Sequence, residues 1–295
     1  MKKVLFRGCA TALATPFTNS GIDEQALRKL VNYQIDNGVA ALIACGTTGE
    51  PSTMTQEEWA ETIQIVVDET KKRVPVVAGT GGNNTAEVIH LAALAEKLGA
   101  QAQLCVTPYY NKTTQQGLIA HYTAIADNSN LPVIIYNVPS RTGLSIAPET
   151  VGALSHHDNI IAVKEASADM IKLGDMIRLS EGRLAFYSGT DEVVVPLMSL
   201  GGLGVISVIS NAAPALTVQM TEAMLRGDTQ KAAELQLKLL PLTHALFSEV
   251  NPIPLKAAMH MMGICENQVR LPLVPLGESN ARVLEKELKA LGLLA

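Results

Sequence analysis

The chain has 295 residues, 47% of them hydrophobic, and a net charge of −5 with no basic run. That is enough apolar chain for one large domain burying about three-quarters of its unfolded surface, and the charge argues against nucleic acid or an anionic membrane surface as the main partner. No stretch reaches the ~18–20 uninterrupted apolar residues of a spanning helix. The opening MKKVLFRGCA has only a short apolar run, interrupted by Arg7, so no secretion signal is expected. Cys9, Cys45, Cys105 and Cys265 lie far apart, three of them in apolar strand-like runs, and read as reduced core residues rather than a disulfide or zinc framework. The expectation is a cytoplasmic protein with a small-molecule ligand.

Strand-like apolar runs alternate with longer amphipathic ones. The first candidate strand is Ala10–Pro16, followed by a helix over Ile22–Asn37, where Asp23 and Glu24 suit a helix N-terminus. Further strands are predicted at Ala40–Cys45, Val74–Gly79, Gln103–Thr107, Pro132–Asn137, Ile160–Lys164, Leu184–Ser188 and Val205–Val208. Eight βα units within roughly the first 225 residues match the size and period of an α/β (β/α)8 TIM barrel better than an open doubly wound sheet. After Arg226 the strand signal stops. Helical patterns run through Thr229–Glu249, Pro254–Met262 and Gly277–Leu294, separated by NPIP and LPLVP breaks. The chain therefore divides into a barrel over 1–226, which carries the active site, and a C-terminal helical extension over 227–295.

In such a barrel functional groups gather at the C-terminal strand ends. The stretch Asn159–Ser167, NIIAVKEAS, closes an apolar strand on Lys164. A lysine there needs a reason: a buried ion pair, a substrate carboxylate, or amine chemistry. Because side chains alternate, Ala162 and Lys164 share one face and Val163 and Glu165 the other, so Glu165 is a poor partner for Lys164. The second strand ends in GTTGE (Gly46–Glu50), where hydroxyls and backbone N–H groups suit a carboxylate or phosphate, though an ordinary turn reads the same way. TPYYNK places Tyr109 and Tyr110 after the fourth strand, as mouth residues or interface packing. YNVPSRTG gives Tyr136 at the end of the fifth and Arg141 in the next loop, as a carboxylate clamp or a solvated surface arginine. Gly189 and Ile206, in the seventh and eighth segments, can line a pocket more readily than react. Gly201–Gly204 reads as a turn before a strand as well as it does a phosphate cradle.

The six histidines lack a ligand spacing, and there is no nucleophile elbow, dinucleotide fingerprint or P-loop. The lysine remains. At its reference pKa an amine is neutral in roughly one molecule in 2500 at pH 7, so a nucleophilic Lys164 needs desolvation or a proton relay. Tyr136, Thr47 and Tyr110 supply phenols and a hydroxyl for such a relay. Attack of Lys164 on a ketone gives a Schiff base whose neighbouring carbon can lose a proton and act as a nucleophile, which is aldolase chemistry.

Taken together, GTTGE, PYYN, YNVPSRTG, AVKEAS and YSGTDE, in this order and over nearly the whole chain, resemble the dihydrodipicolinate synthase family. The resemblance implies condensation of pyruvate with aspartate-semialdehyde in diaminopimelate and lysine biosynthesis, with no cofactor beyond the lysine. It implies Lys164 as the Schiff-base lysine, Tyr136 as proton donor and acceptor, and Thr47 as the link to Tyr110 from a neighbouring subunit. Thr48 would hold the pyruvate carboxylate, Arg141 would guide the semialdehyde, and Gly189 and Ile206 would give backbone contacts. It implies a homotetramer, a dimer of dimers. Asn83, Glu87 and Tyr109 match a lysine-regulatory site. Pro51, Gln56 and Trp59 stand where lysine-sensitive relatives carry serine and histidines, so loss of lysine sensitivity is expected. The competing readings are a sibling lyase such as N-acetylneuraminate lyase, against which Arg141 and Thr48 argue, and a catalytically silent carboxylate sensor.

Overall fold

Strand alternation decides what this molecule is built around. The structure, a computed structural model, describes Lys2 and residues 4–294. Eight parallel strands close into a barrel: Gly8–Ala12, Ala41–Ala44, Val76–Gly79, Ala102–Val106, Val133–Asn137, Ile160–Glu165, Ala185–Ser188 and Gly204–Ser207, with the first pairing both the second and the eighth. In the second strand Ala41 and Ile43 pack into the barrel interior, while Leu42 and Ala44 face the surrounding helices. The fifth strand repeats the rule, with Ile134 and Tyr136 inward and Val133 and Ile135 outward. On the sixth, Ala162 points in and Val163 out, which turns Lys164 inward.

The helices start where polar caps allow. Asp23, Asn84, Thr114, Asp169 and Asp228 each accept a bond from a first-turn N–H, and Thr55 with Glu58 forms a capping box. The first strand begins at Gly8 and ends at Ala12, earlier than the expected Ala10–Pro16. Its register is set by pairing Gly8–Thr11 with Gly204–Ser207, and Pro16 has no N–H to extend a ladder. A short hairpin of Phe17–Thr18 with Gly21–Ile22 follows, unannounced by any alternation long enough to read. The three expected C-terminal helices are present as Thr229–Leu246, Ile253–Met261 and Glu278–Ala290. Cys9, Cys45 and Cys105 are free and buried, and Cys265 is free and partly buried. Among the described residues no helix is long and apolar enough to cross a membrane.

Gly201–Gly204 leads into the N-terminal end of the eighth strand, away from the functional mouth, and its turn reading holds. Gly204 has φ +152°, and a Cβ there would lie 1.9 Å from the Gly8 carbonyl oxygen, in the seam that closes the barrel. Gly204→Ala should therefore destabilise the fold by about 3 kcal/mol. A lowered urea midpoint with an unchanged slope is the expected measurement.

Candidate active site

The sixth strand delivers Lys164 to the C-terminal mouth of the barrel, where it lines a cavity of about 200 Å³. Tyr136 is its register partner on the neighbouring strand, and the Lys164 Nζ sits 4.3 Å from the centre of the Tyr136 ring. Both side chains are buried. Burial lowers the Lys164 pKa to about 8, with the Asp191 carboxylate opposing the shift and the Arg141 guanidinium adding to it. At about 8 the amine is neutral in roughly one molecule in ten at pH 7, against one in 2500 at the reference value.

Glu165 does not partner the lysine. It points the other way, accepting from Asn137 Nδ2 at 2.8 and 3.1 Å and from the Ser167 N–H at 2.7 Å, as the strand alternation requires. Burial raises the Tyr136 phenol, partly offset by the Arg141 charge and by the neighbouring Thr47 hydroxyl. Thr47 and Thr48 lie on a 3₁₀ turn, Thr47–Gly49, at the end of the second strand, and both line the cavity. Thr48 Oγ1 accepts from Asn251 Nδ2 at 3.0 Å. Arg141, at the C-terminal end of the short helix Pro139–Thr142, donates through Nη2 to the Asn251 carbonyl at 3.2 Å.

Gly189 also lines the cavity. Its N–H donates to the Glu165 carbonyl at 2.7 Å, and a Cβ on it would meet Ala166 Cβ at 2.6 Å and Lys164 Cε at 3.1 Å, so a side chain would press on the lysine stem. Two expected residues stand apart. Ile206 is fully buried in the barrel interior and is not part of the cavity lining. Tyr110 is 92% exposed, with φ +66°, and lies outside the cavity of its own chain. Asn83, Glu87 and Tyr109 come together in a second cavity of about 440 Å³, which shares Thr47, Tyr136 and Arg141 with the first. Pro51 and Trp59 line its wall, and the Trp59 indole N–H donates to the Gly79 carbonyl at 3.1 Å. Among the described residues no group of three or more His, Cys, Asp or Glu side chains could hold a metal ion.

The sequence reading missed Asn251, Phe247 and Asp191. Asn251 and Phe247 line the cavity from beyond residue 226, and nothing in NPIP distinguishes a mouth residue from a helix break. Asp191 stood inside SGTDE without a role. It is buried, and its Oδ2 accepts from the Val208 and Ile209 N–H groups at 2.9 and 3.2 Å.

The chain matches the Dihydrodipicolinate synthetase family over residues 5–291. It is 49% identical over 291 residues to a 4-hydroxy-tetrahydrodipicolinate synthase of Thermoanaerobacter sp. (strain X514), covering 98% of each chain. Its fold superposes on the dihydrodipicolinate synthase of Thermotoga maritima with a TM-score of 0.97 at 42% identity, covering 99% of this chain and 100% of that one. The chloride-inhibited dihydrodipicolinate synthase of Acinetobacter baumannii, complexed with pyruvate, gives 0.96 at 42% identity, covering 98% and 99%.

Asp191 raises the Lys164 pKa, so Asp191→Asn should lower it below about 8 and increase the neutral fraction at pH 7. The check is the pH dependence of borohydride-trapped imine formation between Lys164 and a small keto acid. Its midpoint should move to lower pH in the variant.

Proposed function

The chain belongs to the dihydrodipicolinate synthetase family, and we propose that it condenses pyruvate with L-aspartate-4-semialdehyde through a Schiff base on Lys164. The observation that carries the reading is the buried, inward-facing Lys164 amine beside the Tyr136 ring, its pKa lowered to about 8. Neutral Lys164 attacks the ketone carbon of pyruvate. Tyr136 passes a proton to the departing oxygen, and water leaves as the imine forms. The iminium withdraws electrons from the methyl carbon, which gives up a proton to become the enamine and then attacks the aldehyde carbon, making the new C–C bond. An amine on the resulting adduct can displace Lys164 from the imine carbon, closing a ring and returning the free lysine.

The remaining residues follow this assignment. Thr47 relays the Tyr136 proton, Thr48 receives the pyruvate carboxylate, Gly189 and Ile206 contribute backbone contacts to the pocket, and Arg141 takes the carboxylate of the semialdehyde. A homotetramer, assembled as a dimer of dimers, places Tyr110 in the relay of a neighbouring subunit. The exposure of Tyr110, outside its own chain's cavity, supports that placement. Asn83, Glu87 and Tyr109 are assigned to the corresponding regulatory cavity, and the Trp59 and Pro51 wall supports insensitivity to lysine.

In a coupled assay with dihydrodipicolinate reductase, pyruvate and aspartate-semialdehyde should drive NADPH loss, and N-acetylneuraminate should not be cleaved. Lys164→Ala should abolish the borohydride adduct with pyruvate and cut turnover by about 10³-fold or more while the barrel stays folded. Cleavage of neuraminate alone would overturn the substrate assignment, and a trapped adduct in Lys164→Ala would overturn the nucleophile. Initial rates should be unchanged by millimolar L-lysine, and strong inhibition in that range would reject the insensitivity.

A further inference from the structure

The GTTGE turn carries Thr47 and Thr48 but is not held by its own bonds alone. Its last residue, Glu50, is buried with a left-handed backbone (φ +58°) and links two successive 3₁₀ turns, Thr47–Gly49 and Pro51–Thr53. A non-glycine residue holds that conformation only where its surroundings enforce it. Here they do so through the C-terminal extension. The Glu50 Oε1 lies 2.7 Å from the Lys256 Nζ, in an ion pair with side-chain exposures of 2% and 0%. The other carboxylate oxygen accepts from the Arg270 backbone N–H at 3.0 Å.

The surrounding groups complete the lock. Lys256 Nζ also donates to the Gln268 carbonyl at 2.8 Å and sits 4.0 Å from the centre of the Phe17 ring. The Arg270 guanidinium lies 4.1 Å from the same ring, is paired with Glu58, and donates to the Thr53 carbonyl at 3.1 Å. Two cations against one aromatic ring, each paired with its own carboxylate, fix the end of the hydroxyl turn to the segment 256–270. Five residues before Lys256, Asn251 bonds the Thr48 hydroxyl and the Arg141 guanidinium.

We propose that Glu50 and Lys256 are positioning residues for the keto-acid site: their buried ion pair sets where the Thr47 and Thr48 hydroxyls stand relative to Lys164. The inference rests on the functional reading above. Neither residue lines the Lys164 cavity, so they act through the turn. A pair that only stabilised the extension would leave the occupied site unchanged once the protein was folded. A positioning pair makes pyruvate affinity depend on its geometry.

The test is the pyruvate concentration needed for half-maximal borohydride trapping on Lys164, read by mass, alongside thermal melting. Removing one partner of a buried pair strands the other charge, whereas replacing both with neutral groups of similar volume is often tolerated. The double variant Glu50→Gln/Lys256→Met should therefore melt near the wild type while its half-saturating pyruvate rises about tenfold, roughly the weight of one lost hydrogen bond to a charged group. Glu50→Asp keeps the charge but shortens the side chain by one methylene, and should raise the same value about threefold or more. Glu50→Asp decides the matter should the double variant not fold. Wild-type half-saturation in either folded variant overturns the inference alone. Failure of the wild-type enzyme to trap pyruvate overturns the functional reading and this inference with it.

Discussion

Lys164 is an amine withdrawn from water at the end of an apolar strand without a salt bridge to any described residue, and the arrangement of the mouth follows from that constraint. Its sequence neighbour Glu165 is turned to the opposite face and occupied by Asn137 and Ser167. Asp191, the buried carboxylate that influences it, is tied through Oδ2 to backbone N–H groups at the end of the eighth strand. A direct ion pair would hold the ammonium charged; distance and burial together leave a usable share of neutral amine. The ring of Tyr136 beside the Nζ gives the charged form a face to rest against without supplying a full counter-charge.

The barrel makes this arrangement cheap to specify. Tyr136 and Lys164 are register partners on adjacent strands, and both fall on the inward set because the side-chain period is two. Gly189, at the end of the next strand, keeps the space beside the lysine stem open where any Cβ would crowd it. Three neighbouring strands thus supply a nucleophile, a proton carrier and a gap, each fixed by the ladder before any loop contributes.

That is also why these parts were legible in the sequence. The four apolar residues Ile160–Val163 leading into Lys164 read as a strand, and the alternation that puts Ala162 and Lys164 on one face separates Glu165 from Lys164. The hairpin at Phe17 was not legible, because two-residue strands carry no period. The first strand slipped because Pro16 lies in an apolar stretch that reads as strand, while the true start at Gly8 is set by pairing with a segment nearly two hundred residues away. Asn251 and Lys256 were invisible for a different reason. One stands in a helix break and the other in an amphipathic run, and only tertiary packing of the extension brings them to Thr48 and Glu50. Local pattern carries strand-borne groups well and carries the groups that hold a loop from behind poorly.

Arg141 shows how these layers meet. Its charge lowers the pKa of both Lys164 and Tyr136, so one guanidinium favours the neutral amine that attacks the ketone and eases release of the phenol proton that Tyr136 passes on. The same charge suits a carboxylate entering the mouth, so a substrate anion would be drawn to the place where the amine is kept neutral. Arg141 is itself exposed and sits on a four-residue helix, a poor platform for exact placement. The carbonyl of Asn251 supplies what the helix lacks, and the side chain of the same residue holds Thr48. One residue of the extension therefore spans the two groups assigned to the two substrates' carboxylates, which ties the spacing between their sites to the packing of the C-terminal helices rather than to the barrel alone.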